Sequence, residues 1–214
     1  MSTARRLVLL RHGRTAWNAE GRAQGWADVE LDATGHEQAA GAAPYVAALG
    51  PVALWSSDLA RARQTCAYLE KETGLVATHD ARLREFSVGV RQGLTHAEFA
   101  ERYPVEFEQW RLTDVPVAAV GGESVAEVRE RVLPALEELL VTLQPGETGV
   151  VVMHGAALKV GLLALLGWPD EHYLSLRPMD NCRWSTVEQA PDGRRRMVGY
   201  NEGVPDSGDV PPAL

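Results

Sequence analysis

The pair Arg11-His12 is the most informative point in the chain, because a guanidinium offers forked donors to a phosphate or carboxylate while a neutral imidazole can act as nucleophile or base. Together they call for an anionic electrophile. A second histidine, His154, is followed by Gly155, and Arg61 lies one turn into a helix expected to begin at Asp58. Asn18 and Gln24, in the polar stretch after His12, add neutral donors and acceptors. A lone histidine after a strand is more often structural than catalytic. Two of them, with an arginine beside the first, tilt the balance toward function.

These residues need elements that bring them together. Short Val- and Leu-rich runs, Leu7 to Leu10, Val52 to Trp55 and Val150 to Met153, read as buried parallel strands. Each ends in a polar cluster: Arg11-His12-Gly13, Ser56-Ser57-Asp58 and His154-Gly155. In open α/β sheets ligands bind beyond the carboxyl ends of the strands, so parallel pairing predicts one convergent site. Helical patterns separate the runs, with capping-box spacings at Thr34/Glu37, Thr95/Glu98 and Ser124/Glu127. Asp58 reads as the N-cap of a helix over Leu59 to Glu72. From Ser124 to Leu143 an apolar stripe (Val125, Val128, Val132, Leu136, Leu139, Leu140, Leu143) marks the clearest helix, which Pro134 should kink or break. Arg183 to Glu188 and Arg195 to Tyr200 form a predicted edge hairpin around Pro191-Asp192-Gly193. The alternation predicts an α/β domain over residues 1–201, followed by a mobile tail over 202–214.

Composition removes several classes. The 29 acids against 21 bases give a net charge of -8, which leaves no basic footprint for nucleic acid. Cys66 and Cys182 form no disulfide framework or zinc ribbon and fit a reducing cytoplasm. The start lacks a signal-peptide pattern, and Val160 to Trp168 is too short to cross a bilayer, so no membrane association is expected. His36, His79, His96 and His172 are expected to be incidental, and Arg63, Arg91 and Arg102 surface charges, as are Arg194, Arg195 and Arg196 on an edge strand. Trp55 and Trp168 read as core, whereas Trp17 and Trp26 flank the polar loop and are expected to wall the pocket.

Leu10-Arg11-His12-Gly13-Arg14-Thr15-Ala16-Trp17-Asn18 resembles the L-R-H-G-x-T-x-W-N signature of the histidine phosphatase superfamily, in its phosphoglycerate-mutase-like branch. Gln24-Gly25-Trp26, Ser57 to Thr65, Leu83-Arg84-Glu85-Phe86, Gly122-Glu123-Ser124 and His154-Gly155 resemble the later blocks in order, so the likeness spans Arg6 to Val187. The resemblance implies a three-layer α/β/α sandwich around a mostly parallel sheet. It implies His12 as the nucleophile taking the phosphoryl group, Arg11, Arg61 and His154 on the equatorial oxygens, and Glu85 as proton donor to the leaving oxygen. Asn18, Gln24, Gly25 and Gly155 would bind phosphate or the substrate body. The chemistry is coherent: phosphoryl transfer spreads charge over three oxygens, which fixed cations stabilise without a metal or other cofactor. His12 must then be neutral at its attacking nitrogen, held so by a hydrogen bond from the other ring N–H to a backbone carbonyl, and the arginines should lower its pKa.

The chain departs from the family pattern at Gly89-Val90-Arg91-Gln92-Gly93, where G-x-W-E-G is common, so an aromatic and an acid are replaced by Arg91 and Gln92. Between Glu85 and Ser124 there is no inserted basic segment of the kind family mutases use, which favours water as the acceptor and a phosphatase. Leu94-Thr95-His96-Ala97 and Met179-Asp180-Asn181-Cys182-Arg183-Trp184 are similar to the subgroup acting on glucosyl-3-phosphoglycerate, so a sugar or glycerate phosphate is the expected small phosphomonoester. Family precedent also allows a homodimer. The rival readings are a phosphoryl-transferring mutase, a catalytically quiet phosphate binder, and a metal hydrolase using His12 and His154. The last lacks further ligands and would set a cation against Arg11 and Arg61.

Overall fold

The computed structural model describes residues 3–111 and 119–204. Six strands form one sheet in the order β3-β2-β4-β1-β5-β6. They are β1 (Arg5–Arg11), β2 (Pro51–Ser56), β3 (Thr78–His79), β4 (Thr148–Met153), β5 (Trp184–Gln189) and β6 (Arg195–Glu202). β1, β2, β3 and β4 are parallel, and β5 and β6 add an antiparallel hairpin. The three apolar runs are therefore β1, β2 and β4, adjacent and in register, with Leu10 opposite Val152 and Ser56 opposite Val152 on the other side.

Strand periodicity divides the core in two. Leu7 and Leu9 of β1, with Val151 and Met153 of β4, face α6 (Val125–Thr142) and α7 (Gly155–Leu166). Val8 and Leu10, with Val150 and Val152, face α2 (Ala33–Ala47) and α3 (Ala60–Thr73). This is the α/β/α sandwich, and the whole predicted stripe of α6 is buried. The chain also forms α1 (Ala16–Ala19), α4 (His96–Arg102) and α5 (Pro104–Arg111).

The capping boxes at Thr95/Glu98 and Ser124/Glu127 are both present. Thr34/Glu37 is not: Asp32 caps α2 through Gly35 N–H, and the Thr34 hydroxyl instead accepts from Arg14. Asp58 does not cap α3 either, because its carboxylate is held by Arg84 at 2.6 and 2.7 Å; Asp28 takes the Ala60 N–H. Pro134 lies inside α6 without ending it. Trp168 follows the left-handed Gly167 cap of α7 and is 39% exposed, so it is not core, whereas Trp55 packs against the core. β6 runs through Glu202, one residue into the expected tail, and residues 205–214 of that tail lie outside the described residues. Among the described residues no helix is long and apolar enough to cross a membrane.

Candidate active site

The C-terminal ends of β1, β2 and β4 place Arg11-His12, Ser57 and His154 at one sheet edge. His12 Nδ1–H donates to the Gly13 carbonyl at 2.7 Å, which fixes the tautomer and leaves the Nε2 lone pair free. The Gly13 turn is pressed against the start of α2: a Cβ on Gly13 would lie 2.5 Å from the Gly35 carbonyl oxygen, so only glycine fits. The Thr65 hydroxyl accepts from Gly13 N–H at 3.0 Å, and Asn181 Nδ2 donates to the His12 carbonyl at 2.9 Å. His12 is buried, and burial together with Arg61 and Arg11 holds its pKa well below the ordinary imidazole value. It is neutral at physiological pH.

Arg61 is 1% exposed and held on three sides: Nη1 donates to Ala27 O at 2.8 Å, Nη2 to Gly25 O at 2.9 Å, and Nε to His154 Nδ1 at 3.2 Å. Burial lowers its pKa to about 10, so it stays a cation, and one N–H on each terminal nitrogen is left for a ligand. The left-handed backbone at Gly25, with φ of 52°, turns its carbonyl onto Arg61. Arg11 donates from Nη1 to the Met179 carbonyl, while its Nε is buried with no partner among the described residues.

Glu85 projects toward the N-terminus of α7. Its Oε1 accepts from Phe86 N–H and Ala157 N–H, both at 2.9 Å, and Oε2 accepts from Ala156 N–H at 3.1 Å. The backbone behind it is clamped by two side chains that sequence reasoning gave no such role. Trp26 Nε1 and Arg131 Nη2 donate to the Glu85 carbonyl at 2.7 and 2.8 Å, and Glu123 holds Arg131 at 2.7 Å.

These groups share one cavity of about 530 Å³, within the usual size of a small-molecule site. Of the expected site residues, Arg11, His12, Asn18, Gln24, Gly25, Arg61 and Glu85 line it. Gln24 lines the cavity, and its Oε1 is buried with no partner among the described residues. His154 and Gly155 stand behind the wall. The His154 ring lies 5.2 Å from that of His12, and its Nε2–H donates to Ser57 Oγ at 2.8 Å while Nδ1 accepts from Arg61. Contact between His154 and a ligand would therefore require one of these bonds to be exchanged. Gly155 packs beneath Arg11, where a Cβ would come within 3.2 Å of Nε.

The outer half of the cavity departs from expectation. Trp17 and Trp26 do not line it; the aromatic residues that do are Phe86, Trp110 of α5 and Tyr173. Arg91 is not a surface charge: it lines the cavity and stacks at 4.3 Å on Trp110 and 5.3 Å on Phe99. The departure from the family's G-x-W-E-G block pointed to this position, but the stacking itself depends on α4 and α5 folding back to form an aromatic cluster of His96, Phe99, Phe107 and Trp110.

The arrangement provides a neutral nitrogen nucleophile, two cations with unmet donors and an oriented carboxyl around one space, a set suited to transfer of a phosphoryl group. Cysteine is no alternative nucleophile, because burial pushes both the Cys66 and Cys182 thiols up to about 12. No group of three or more His, Cys, Asp or Glu side chains among the described residues could hold a metal ion.

Comparison with known proteins agrees with this chemistry. A sequence model described as "Histidine phosphatase superfamily (branch 1)" matches residues 7–203. The chain is 39% identical over 221 residues to a glucosyl-3-phosphoglycerate phosphatase of Mycobacterium tuberculosis, covering 97% of this chain and 99% of that protein. It is 36% identical over 188 residues to a probable phosphoglycerate mutase of Serratia proteamaculans, covering 85% and 84%. A solved mycobacterial glucosyl-3-phosphoglycerate phosphatase in complex with VO3 superposes with a TM-score of 0.85 at 37% identity, covering 92% of this chain and 99% of that one.

Proposed function

The chain belongs to the histidine phosphatase superfamily, branch 1, and we propose that it is a metal-independent phosphatase that hydrolyses glucosyl-3-phosphoglycerate or a related sugar or glycerate phosphate. The observation that carries this reading is the His12 tautomer. With Nδ1–H donated to Gly13 O at 2.7 Å, Nε2 is the free, neutral nitrogen facing a cavity that also holds Arg11 and Arg61.

In the reaction His12 Nε2 attacks phosphorus while the bond to the leaving oxygen breaks, giving phosphohistidine and an alcohol. Glu85, which takes up a proton as the anionic phosphate binds beside it, gives that proton to the leaving oxygen. The remaining N–H groups of Arg61 and the unmet Nε–H of Arg11 face the equatorial oxygens, where charge accumulates. His154 acts through Arg61, from whose Nε–H it accepts, and its Nε2–H reaches the phosphoryl group only by leaving Ser57. Asn18 and Gln24 contact the ester body, and Gly155 supports Arg11. Water then attacks the phosphohistidine with Glu85 taking its proton, which releases phosphate and restores both groups. The reading places the enzyme in the cytoplasm, which suits two free cysteines, and allows a homodimer; light scattering checks the latter.

The test is phosphate release in excess EDTA from glucosyl-3-phosphoglycerate, 3-phosphoglycerate, α-ribazole phosphate and p-nitrophenyl phosphate, with His12→Ala in parallel. Turnover by the wild type and none by the variant, with the fold intact by circular dichroism, is the expected result. Activity retained in His12→Ala overturns the nucleophile. Loss in EDTA overturns metal independence, and phosphoryl transfer between glycerates without net release identifies a mutase.

A further inference from the structure

Arg91 is half-buried at the end of the 3₁₀ turn Gly89–Arg91 and lines the same cavity as His12. Its guanidinium carbon sits 4.3 Å from the centre of the Trp110 ring. Stacking uses the face of a guanidinium and leaves its N–H groups, which lie in the plane, free to donate. The other cations on the outer wall are already paired: Arg22 with Glu20 and Glu98, Arg111 with Glu108. The acid on that wall, Glu123, is paired with Arg131. Among the described residues no carboxylate lies within ion-pair distance of Arg91, and burial lowers its pKa with no acid to offset it. Arg91 is thus a half-buried cation whose N–H groups have no acidic partner among the described residues, and it faces a cavity whose inner end already holds cations for a phosphoryl group; what it lacks is a second anion.

From this juxtaposition we infer that Arg91 is a specificity-determining residue that binds a carboxylate on the substrate, so that the enzyme selects phosphate esters of carboxylic acids over neutral phosphate esters. The planar fork suits a carboxylate through two parallel hydrogen bonds. Trp110 holds the guanidinium in place and presents an apolar wall for the carbon skeleton between the two anions. The inference rests on the phosphatase reading for its substrate but concerns binding as well as turnover, so the two can fail separately.

The experiment compares 3-phosphoglycerate with glycerol 3-phosphate, which replaces the carboxylate by a hydroxymethyl group, on wild type, Arg91→Gln and Arg91→Lys. For Arg91→Gln we expect kcat/KM on 3-phosphoglycerate to fall about 10- to 100-fold, mainly through KM, with less than about threefold change on glycerol 3-phosphate. Arg91→Lys should recover part of the loss, since charge remains but the fork does not. Equal losses on both esters, or none on 3-phosphoglycerate, overturn the assignment. Calorimetric binding of 3-phosphoglycerate to His12→Ala, with and without Arg91→Gln, reads the same subsite without turnover. Weakening there by a similar factor supports the subsite even if hydrolysis fails, and unchanged binding refutes it. Should Arg91→Gln not fold, because Trp110 loses its partner, Arg91→Lys carries the comparison through the same ratio of the two esters.

Discussion

Replacing Glu85 by Gln separates what the carboxyl does for the fold from what it does for the reaction. The carboxylate accepts three backbone N–H groups, two at Oε1 and one at Oε2. A glutamine can keep the pair at Oε1 with its carbonyl, but its NH2 then faces the Ala156 N–H across 3.1 Å, donor against donor. One lost bond and one unsatisfied amide cost about 1–3 kcal/mol of stability, to which loss of a charge at the α7 N-terminus adds up to about 1 kcal/mol. A urea titration reads this total. The kinetic effect differs in kind. If Glu85 protonates the leaving oxygen, esters of poor leaving groups should lose about 10²- to 10⁴-fold in kcat/KM, or about 2.7–5.4 kcal/mol of barrier. Activated aryl esters, which depart without a proton, should lose little. Removing the charge beside Arg11 and Arg61 changes phosphate affinity equally for every ester and cancels from the ratio. The assay is phosphate release over a series of alkyl and substituted aryl phosphates, with log kcat/KM plotted against leaving-group pKa. A steepened slope in Glu85→Gln is expected. A uniform loss across the series would refute the assignment of Glu85 as the acid, whatever its size.

Other outcomes follow from the buried histidines. His12 and His154 are both held well below the ordinary imidazole pKa by burial and by Arg61, so the unfolded chain binds protons near pH 6.5 that the folded chain does not. Stability should therefore fall as pH drops below about 6.5, by up to about 1.4 kcal/mol per pH unit for each histidine. His12→Asn should remove roughly half of that slope between pH 6.5 and 5.5 in urea titrations, and an unchanged slope contradicts the burial argument. For the same reason the acidic limb of kcat/KM belongs below pH 6.5; a limb centred above 7 would contradict a neutral His12. Ser57→Ala strands the His154 Nε2–H, because Nδ1 faces the Arg61 donor and the tautomer cannot switch. The expected cost is about 1–3 kcal/mol of stability, with a fall in kcat/KM as Arg61 loses its orientation. Unchanged values in both would mean that the Ser57 contact does nothing to hold the site.

The sequence alone determined where the candidate site residues gather. Val- and Leu-rich runs too short to be helices had to be strands, and the polar clusters at their ends had to meet at one edge once those strands lay parallel, so Arg11, His12 and Arg61 were legible before any geometry. The cap at Ser124 and the stripe of α6 were legible for the same kind of reason, because their signals are local and repeat with the helical period. Tertiary structure decided the rest, wherever one side chain had a choice of partners. Asp58 could cap a helix, but Arg84 from a distant loop outcompetes a single backbone N–H. His154 reads as a ligand to the phosphoryl group, and only the fold shows that Ser57 and Arg61, brought in by β2 and α3, are the partners of its two nitrogens. Arg91 reads as a solvated charge because nothing within its own segment buries it. Only the return of α4 and α5 lays Trp110 beneath it, at the wall of the cavity.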